Sequence, residues 1–160
     1  MEGLLVRPER PEDLARIRYV NEQAFGRPAE ARLVEALRSG GKVLISLVAE
    51  AERDGQIAGH ILFSPVHIVG EKQSFAAAGL GPLAVLPALQ RRGIGSLLVK
   101  CGLEHLRKAG SDRIAGSVVV LGHPGYYPRF GFVPASRFGI RSEFDVPDEV
   151  FMALELQPRS

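Results

Sequence analysis

A mixed α/β fold, with helices flanking a sheet of both parallel and antiparallel strands, is predicted from three features of the sequence. Residues 74 to 121 read as strand, long amphipathic helix, strand, a unit whose two strands run parallel with a right-handed crossover. Residues 43 to 69 hold two strand-like runs separated by Arg53-Asp54-Gly55, a hairpin signal that makes them antiparallel. The chain has 160 residues, 46% of them hydrophobic, which suffices for one domain with a substantial core and not for two ordinary ones. A single domain over 1–160 is expected.

The elements follow in order. Leu4 to Arg7 is a short strand, and Pro11-Glu12-Asp13 opens a helix with Leu14, Ile17, Val20 or Asn21 and Ala24 on its inner side. A second helix spans Ala29 to Arg38, where Leu33, Val34 and Leu37 align and Ser39-Gly40-Gly41 stops it. Val43 to Ala51 and Gln56 to Val69 are strands, Gly70-Glu71-Lys72-Gln73 is a turn, and Ser74 to Val85 returns as a strand. The long helix that follows carries Ile94, Leu97, Leu98, Cys101 and Leu106 on one face and ends near Ala109-Gly110, with Arg107 and Lys108 suited to its negative pole. Arg113 to Leu121 is a nearly continuous apolar run, as in a strand buried on both faces. Beyond it come a turn or short helix with Tyr126 and Tyr127, a strand start at Phe132-Val133, a loop-rich stretch and a last strand at Phe151 to Leu156.

Charge narrows the function classes. Lys and Arg total 20 against 18 for Asp and Glu, so the pI of about 8.9 reflects a slight excess and not a basic stripe. An anionic small molecule fits this better than a nucleic acid does. The single cysteine excludes an internal disulfide and no Cys/His cluster has metal spacing, so neither a metal nor an oxidising compartment is expected and a cytoplasmic setting is. Neither a signal peptide nor an apolar run long enough to span a bilayer is read in the sequence, so no membrane partner is expected.

The most chemical stretch is Gln90-Arg91-Arg92-Gly93-Ile94-Gly95-Ser96, which joins a strand ending at Val85 to the long helix. Gly93 and Gly95 permit close approach of a ligand to backbone N–H groups. The helix start adds unpaired donors and the positive end of its dipole, which suits a phosphate or pyrophosphate. Arg91 and Arg92 supply charge-assisted bonds. A dinucleotide-binding G-x-G-x-x-G is incomplete, since Leu98 stands at the third glycine position, and a P-loop lacks its Lys and Ser/Thr.

Leu80-Gly81-Pro82-Leu83-Ala84-Val85-Leu86-Pro87, the turn at Gln90 to Gly95, and Tyr126-Tyr127-Pro128-Arg129-Phe130-Gly131-Phe132 occur in that order. Together they resemble the GNAT superfamily of acyl-CoA-dependent N-acetyltransferases over essentially the whole chain, including its Q/R-x-x-G-x-G/A signature. Gly59-His60-Ile61 to Pro65, Gly81 to Val85 and the tyrosine pair look like a bacterial branch of predicted N-acetyltransferases. The resemblance implies a mixed sheet with two splayed parallel strands and about four flanking helices. It implies acetyl-CoA as co-substrate, with the pyrophosphate on the backbone of Gln90, Arg91, Arg92, Gly93, Ile94, Gly95 and Ser96 and the pantetheine arm along Leu83, Ala84 and Val85. A small-molecule or peptide amine would be the acceptor, with contacts from roughly Phe25 to Arg32 and Pro134 to Pro147, and a homodimer is a family-level expectation.

Direct acyl transfer in a ternary complex needs a neutral amine, oxyanion stabilisation and a proton for the departing thiolate. Tyr127 matches the family's tyrosine and is the candidate proton donor, its reference pKa of ~10 lying above the ~8.5 of a thiol. His60, on a strand face with Ala58, Leu62 and Ser64, is the candidate base, with Glu22 an alternative. His123 stands where aspartate is common in the resembling branch. Cys101 lies in the apolar helix stripe and reads as a core thiol, which disfavours a covalent acyl-enzyme. A longer acyl donor, or a CoA-binding module without turnover, would carry the same cradle.

Overall fold

A computed structural model describes residues 3–69, 74–109, 116–140 and 146–156. The predicted turn at 70–73, the start of the apolar run at 113–115 and Gly110 lie outside these residues. Three α-helices and five short 3-10 turns occur among the described residues, where the resemblance implies about four helices. Among the described residues seven strands form one mixed sheet in the order β1 (Leu4–Pro8), β2 (Ile45–Ala51), β3 (Ile57–Val69), β4 (Ser74–Val85), β5 (Ser117–Leu121), β7 (Phe151–Glu155), β6 (Val133–Pro134). The chain groups into two compact units, one of residues 1–64 and 81–105, the other of 65–80 and 106–160. Strands β3 and β4 each run through both.

The first unit begins with β1 (Leu4–Pro8), α1 (Leu14–Phe25) and α2 (Ala29–Ser39). Strand β1 pairs antiparallel with β2 (Ile45–Ala51), which pairs antiparallel with β3 (Ile57–Val69). The predicted hairpin forms: Gly55 N–H donates to Ala51 C=O at 2.8 Å, and Gln56 N–H donates to Asp54 Oδ1 at 3.0 Å. The core joins Ile17 and Val20 of α1, Val34 of α2, Val48 of β2, Ile57 and Leu62 of β3, and Ala84. Arg7, nearly buried, forks onto Asp13 at 2.8 and 3.1 Å and reaches Glu50 at 2.9 Å. That pairing ties the start of the first helix to the first two strands. Asp13 lies below its usual range because the Arg7 hydrogen bonds outweigh the opposing effect of burial.

Strand β4 (Ser74–Val85), which belongs to this unit from Gly81 on, leads through a 3-10 turn at Pro87–Leu89 into α3 (Ile94–Ala109), which belongs to it as far as His105. Ile94, Leu98, Val99, Leu103 and Leu106 are buried, the spacing of one face of a 3.6-residue helix. Leu97 and Cys101, predicted for that face, sit half-buried at its margins. The two leucines predicted on the inner sides of α1 and α2 differ more: Leu14 is 37% exposed and Leu33 48%. Leu14 is the first residue of its helix, and Leu33 is turned one residue off the line that Ala31 and Val34 bury.

The second unit contains β5 (Ser117–Leu121), β6 (Val133–Pro134) and β7 (Phe151–Glu155). The predicted parallel pairing forms between β4 and β5 at Ala78↔Val118 and Gly79↔Val119, and β7 runs antiparallel to both β5 and β6. Its core is Ile68, Ala77, Val119, Ala135, Ile140 and Ala153. Arg107 Nε donates to Leu156 C=O at 2.9 Å, joining the last turn of α3 to the end of β7.

Candidate active site

The turn expected to cradle an anion takes its shape from three local features. Gln90 is extended (φ −68°, ψ 158°) and its Nε2 donates to Val85 C=O at 3.0 Å, tying the turn back to the end of β4. Arg91 has φ +66° and Gly93 φ +89°. A left-handed arginine is uncommon, and such residues concentrate where a turn has a task beyond connection. Left-handed residues in a turn curl successive N–H groups towards one side, a concavity that anions occupy. Leu97 N–H donates to Gly93 C=O at 3.0 Å as α3 begins, so the N–H groups of Ile94 and Gly95 precede the first intrahelical bond.

The side chains divide accordingly. Gln90, Arg91, Arg92 and Gly93 are exposed, Gly95 and Ser96 are half-buried, and Ile94 is packed in the core. Ile94 therefore offers a ligand its backbone only. Leu83 and Val85 are half-buried and Ala84 is fully buried.

His60 is fully buried and sits inside a chain of polar side chains. Its Nδ1 lies 3.2 Å from Asn21 Nδ2, and its Nε2 lies 2.9 Å from Ser46 Oγ. An amide NH₂ only donates, so Nδ1 accepts and Nε2 carries the ring proton and donates to Ser46. The Ser46 hydroxyl then donates to Glu9, which Arg38 holds through Nε at 3.1 Å and Nη2 at 2.7 Å. Asn21 Nδ2 also donates to Ile17 C=O at 3.0 Å, while its Oδ1 is buried with no partner among the described residues. Burial pushes His60 down to about 4, opposed by the Glu9 charge and assisted by that of Arg38. Burial would raise Glu9, but the hydrogen bonds from Arg38 and Ser46 bring it below its ordinary value. His60, the candidate base, therefore has both ring nitrogens engaged and no exposed part of the ring.

Glu22, the alternative base, is ion-paired with Arg18 at 3.3 Å on the outer face of α1. It lines an open depression of about 320 Å³ with Gln23, Gly26, Arg27 and Pro28, where α1 ends and α2 begins. Cys101 is partly buried, and burial raises its thiol above the ordinary value, which keeps it protonated.

In the second unit Tyr127 opens a 3-10 turn (Tyr127–Phe130) and is 8% exposed. Its ring stands edge-on to Tyr126, with centroids 5.0 Å apart, and to Phe132 at 5.8 Å. Burial, with a smaller contribution from Tyr126, pushes its hydroxyl up to about 12. His123 C=O accepts the N–H groups of Tyr126 at 3.0 Å and Tyr127 at 3.3 Å. The backbone of His123 therefore anchors this turn whatever its side chain.

A family model described as the Acetyltransferase (GNAT) family matches residues 8–132. The chain belongs to the GNAT acetyltransferase family. It is 40% identical over 138 residues to the uncharacterized N-acetyltransferase YjhQ of Escherichia coli (strain K12), covering 86% of this chain and 74% of that protein. Among solved structures it resembles a GNAT family acetyltransferase from Brucella melitensis in complex with acetyl-CoA (TM-score 0.77, 39% identity, 100% of this chain and 92% of that one). It also resembles the GNAT family N-acetyltransferase YhbS from Escherichia coli in complex with CoA (TM-score 0.85, 32% identity, 97% and 82%). The donor class expected from the turn is therefore that of the GNAT family. Among the described residues of this GNAT chain, no helix is long and apolar enough to cross a membrane, and no group of three or more His, Cys, Asp or Glu could hold a metal.

The sequence singled out the cradle and the tyrosine pair. It did not single out Ser46, Glu9 and Arg38 as partners of His60, because residues 9, 38, 46 and 60 meet only through tertiary packing. The signal available was weak: Asn21, Ser46 and His60 are polar residues at positions that face inward.

Proposed function

We propose that this chain transfers an acetyl group from acetyl-CoA to a primary amine by direct attack in a ternary complex, as one domain spanning residues 1–160. The observation that carries the proposal is the cradle, where left-handed Arg91 and Gly93 precede the first-turn N–H groups of Ile94 and Gly95 in α3. These groups would hold the CoA pyrophosphate, with Arg91 and Arg92 adding charge-assisted bonds. The pantetheine arm would lie along Leu83, Ala84 and Val85. Among the described residues the parallel pairs of β4 with β5 are at Ala78 and Gly79, short of Leu83, which supports a strand end with peptide groups to offer on that side. A backbone N–H there would also polarise the thioester carbonyl.

Tyr127 is the proposed proton donor to the departing thiolate. Its hydroxyl, pushed up to about 12, stays protonated at neutral pH and is available to donate. His60 is assigned no proton transfer; its burial supports a structural role. The acceptor is proposed to enter at the depression lined by Glu22, Gly26 and Arg27, which overlaps the Phe25 to Arg32 stretch expected to contact it. The continuity of β3 and β4 through both units supports one domain.

The test is to supply acetyl-CoA with a panel of small amines and peptides and follow free thiol. Amine-dependent thiol release supports the enzyme. CoA binding without turnover across the panel would leave a CoA-binding module, and no CoA binding would remove the donor site.

A further inference from the structure

We propose that Gly59 is a positioning residue for the donor site, setting the separation between the Leu83–Val85 strand end and the first turn of α3. The inference rests on the donor-site reading above. Strand β3 alternates its faces: His60 reaches Asn21 of α1 and Leu62 packs in the core of α1 and α2, while Gly59 and Phe63 face α3. A Cβ on Gly59 would lie 3.0 Å from Leu98 Cδ1, 3.1 Å from Ala84 O and 3.2 Å from Ile94 Cγ2. Ala84 belongs to the pantetheine strand, and Ile94 opens the helix that receives the pyrophosphate. A side chain on Gly59 would thus meet both parts of the donor site at once.

Gly59 is not there for backbone freedom, since its φ lies outside the left-handed region that other glycines here adopt. What it supplies is space. The Leu98 and Ile94 methyls can yield by small rotations, but Ala84 O is backbone flanked by the Leu86 N–H to Ala58 C=O bond of 2.9 Å. An added methyl would therefore push the strand end and the helix start apart by a few tenths of an ångström. CoA has to bridge both at once, and pre-organised sites lose affinity on displacements of that order.

A second close contact of α3 provides the control. A Cβ on Gly102 would come within 2.7 Å of Phe63 Cζ, but two turns along the helix from the cradle. Substitution there disturbs the same helix-on-strand packing more severely and away from the ligand.

The experiment is CoA titration by calorimetry on the folded full chain, with thermal melts in parallel, for wild type, Gly59→Ala, Leu98→Val and Gly102→Ala. Gly59→Ala is expected to weaken CoA about five- to tenfold, and Leu98→Val, which withdraws the methyl resting on Gly59, about threefold. Gly102→Ala is expected to lower the Tm more than Gly59→Ala and to keep the CoA affinity within about twofold. Wild-type affinity in both Gly59→Ala and Leu98→Val overturns the inference, as does an equal loss in Gly102→Ala, which would mark general loosening. A wild-type protein that does not bind CoA overturns instead the donor-site reading on which it rests.

Discussion

His60 and Tyr127 are both buried titratable groups, and burial moves them in opposite directions. His60 lies in a polar chain from Arg38 to Asn21 that occupies both ring nitrogens. Burial lowers it to about 4, so at neutral pH it is uncharged and its ring proton is already donated. Tyr127 lies among aromatic rings, and burial raises its hydroxyl to about 12. The same desolvation that keeps the imidazole neutral keeps the phenol protonated. Burial disfavours the charged form in each case, and the proposed mechanism asks the phenol for the form that burial favours.

The largest effect that would break this comparison is kinetic. Tyr127→Phe keeps the ring and removes the donor, so kcat for amine-dependent thiol release should fall roughly 10²- to 10⁴-fold with CoA affinity unchanged. Normal turnover would remove Tyr127 from the mechanism.

Next is the stability of the polar chain. His60→Ala takes one hydrogen-bond partner each from Ser46 and Asn21 and leaves a cavity beside them, and should destabilise the fold by about 2–4 kcal/mol in denaturant titration. A change below about 1 kcal/mol would show that the chain contributes little to the fold.

The pH dependence has a definite sign. An unfolded chain protonates His60 near its reference value of about 6.5, whereas the folded chain does so near about 4. Stability is therefore complete above about pH 6.5 and falls as pH drops towards 4, by up to about 3 kcal/mol. The depressed Glu9 adds a loss in the same direction at lower pH. His60→Gln should flatten urea-midpoint stability across the upper part of this window.

Gly122 sharpens the tyrosine side. A Cβ there would overlap the ring edge of Tyr127, approaching Cδ2 within 2.7 Å. Gly122→Ala should cost about 1–3 kcal/mol of stability and lower kcat while leaving the CoA dissociation constant alone. The smallest effect belongs to the cradle: Arg91→Gly relieves a left-handed arginine (φ +66°) and should stabilise the fold by about 1 kcal/mol, with CoA bound more weakly.

Much of the framework was legible because periodicity reports burial. Strand β4 has its predicted limits, Ser74–Val85, and the Arg53-Asp54-Gly55 turn closes its hairpin. The long helix buries Ile94, Leu98 and Leu106 as its spacing requires. Leu14 and Leu33 were misplaced because an apolar residue at a helix end or the margin of a face satisfies the pattern without being covered. The cradle was legible because its residues are contiguous and glycine-rich. The setting of His60 was not, because its partners come from distant parts of the chain. Nor was the purpose of Gly59, since the sequence shows a missing side chain and not the three atoms that need its space.

The most direct test sets the two buried groups side by side: kcat for thiol release from acetyl-CoA, at one saturating amine, for Tyr127→Phe and His60→Gln at a temperature where both are folded. Tyr127→Phe should lose at least about 10²-fold and His60→Gln should stay within about threefold of wild type. The reverse ranking, with His60→Gln inactive and Tyr127→Phe competent, would contradict the account.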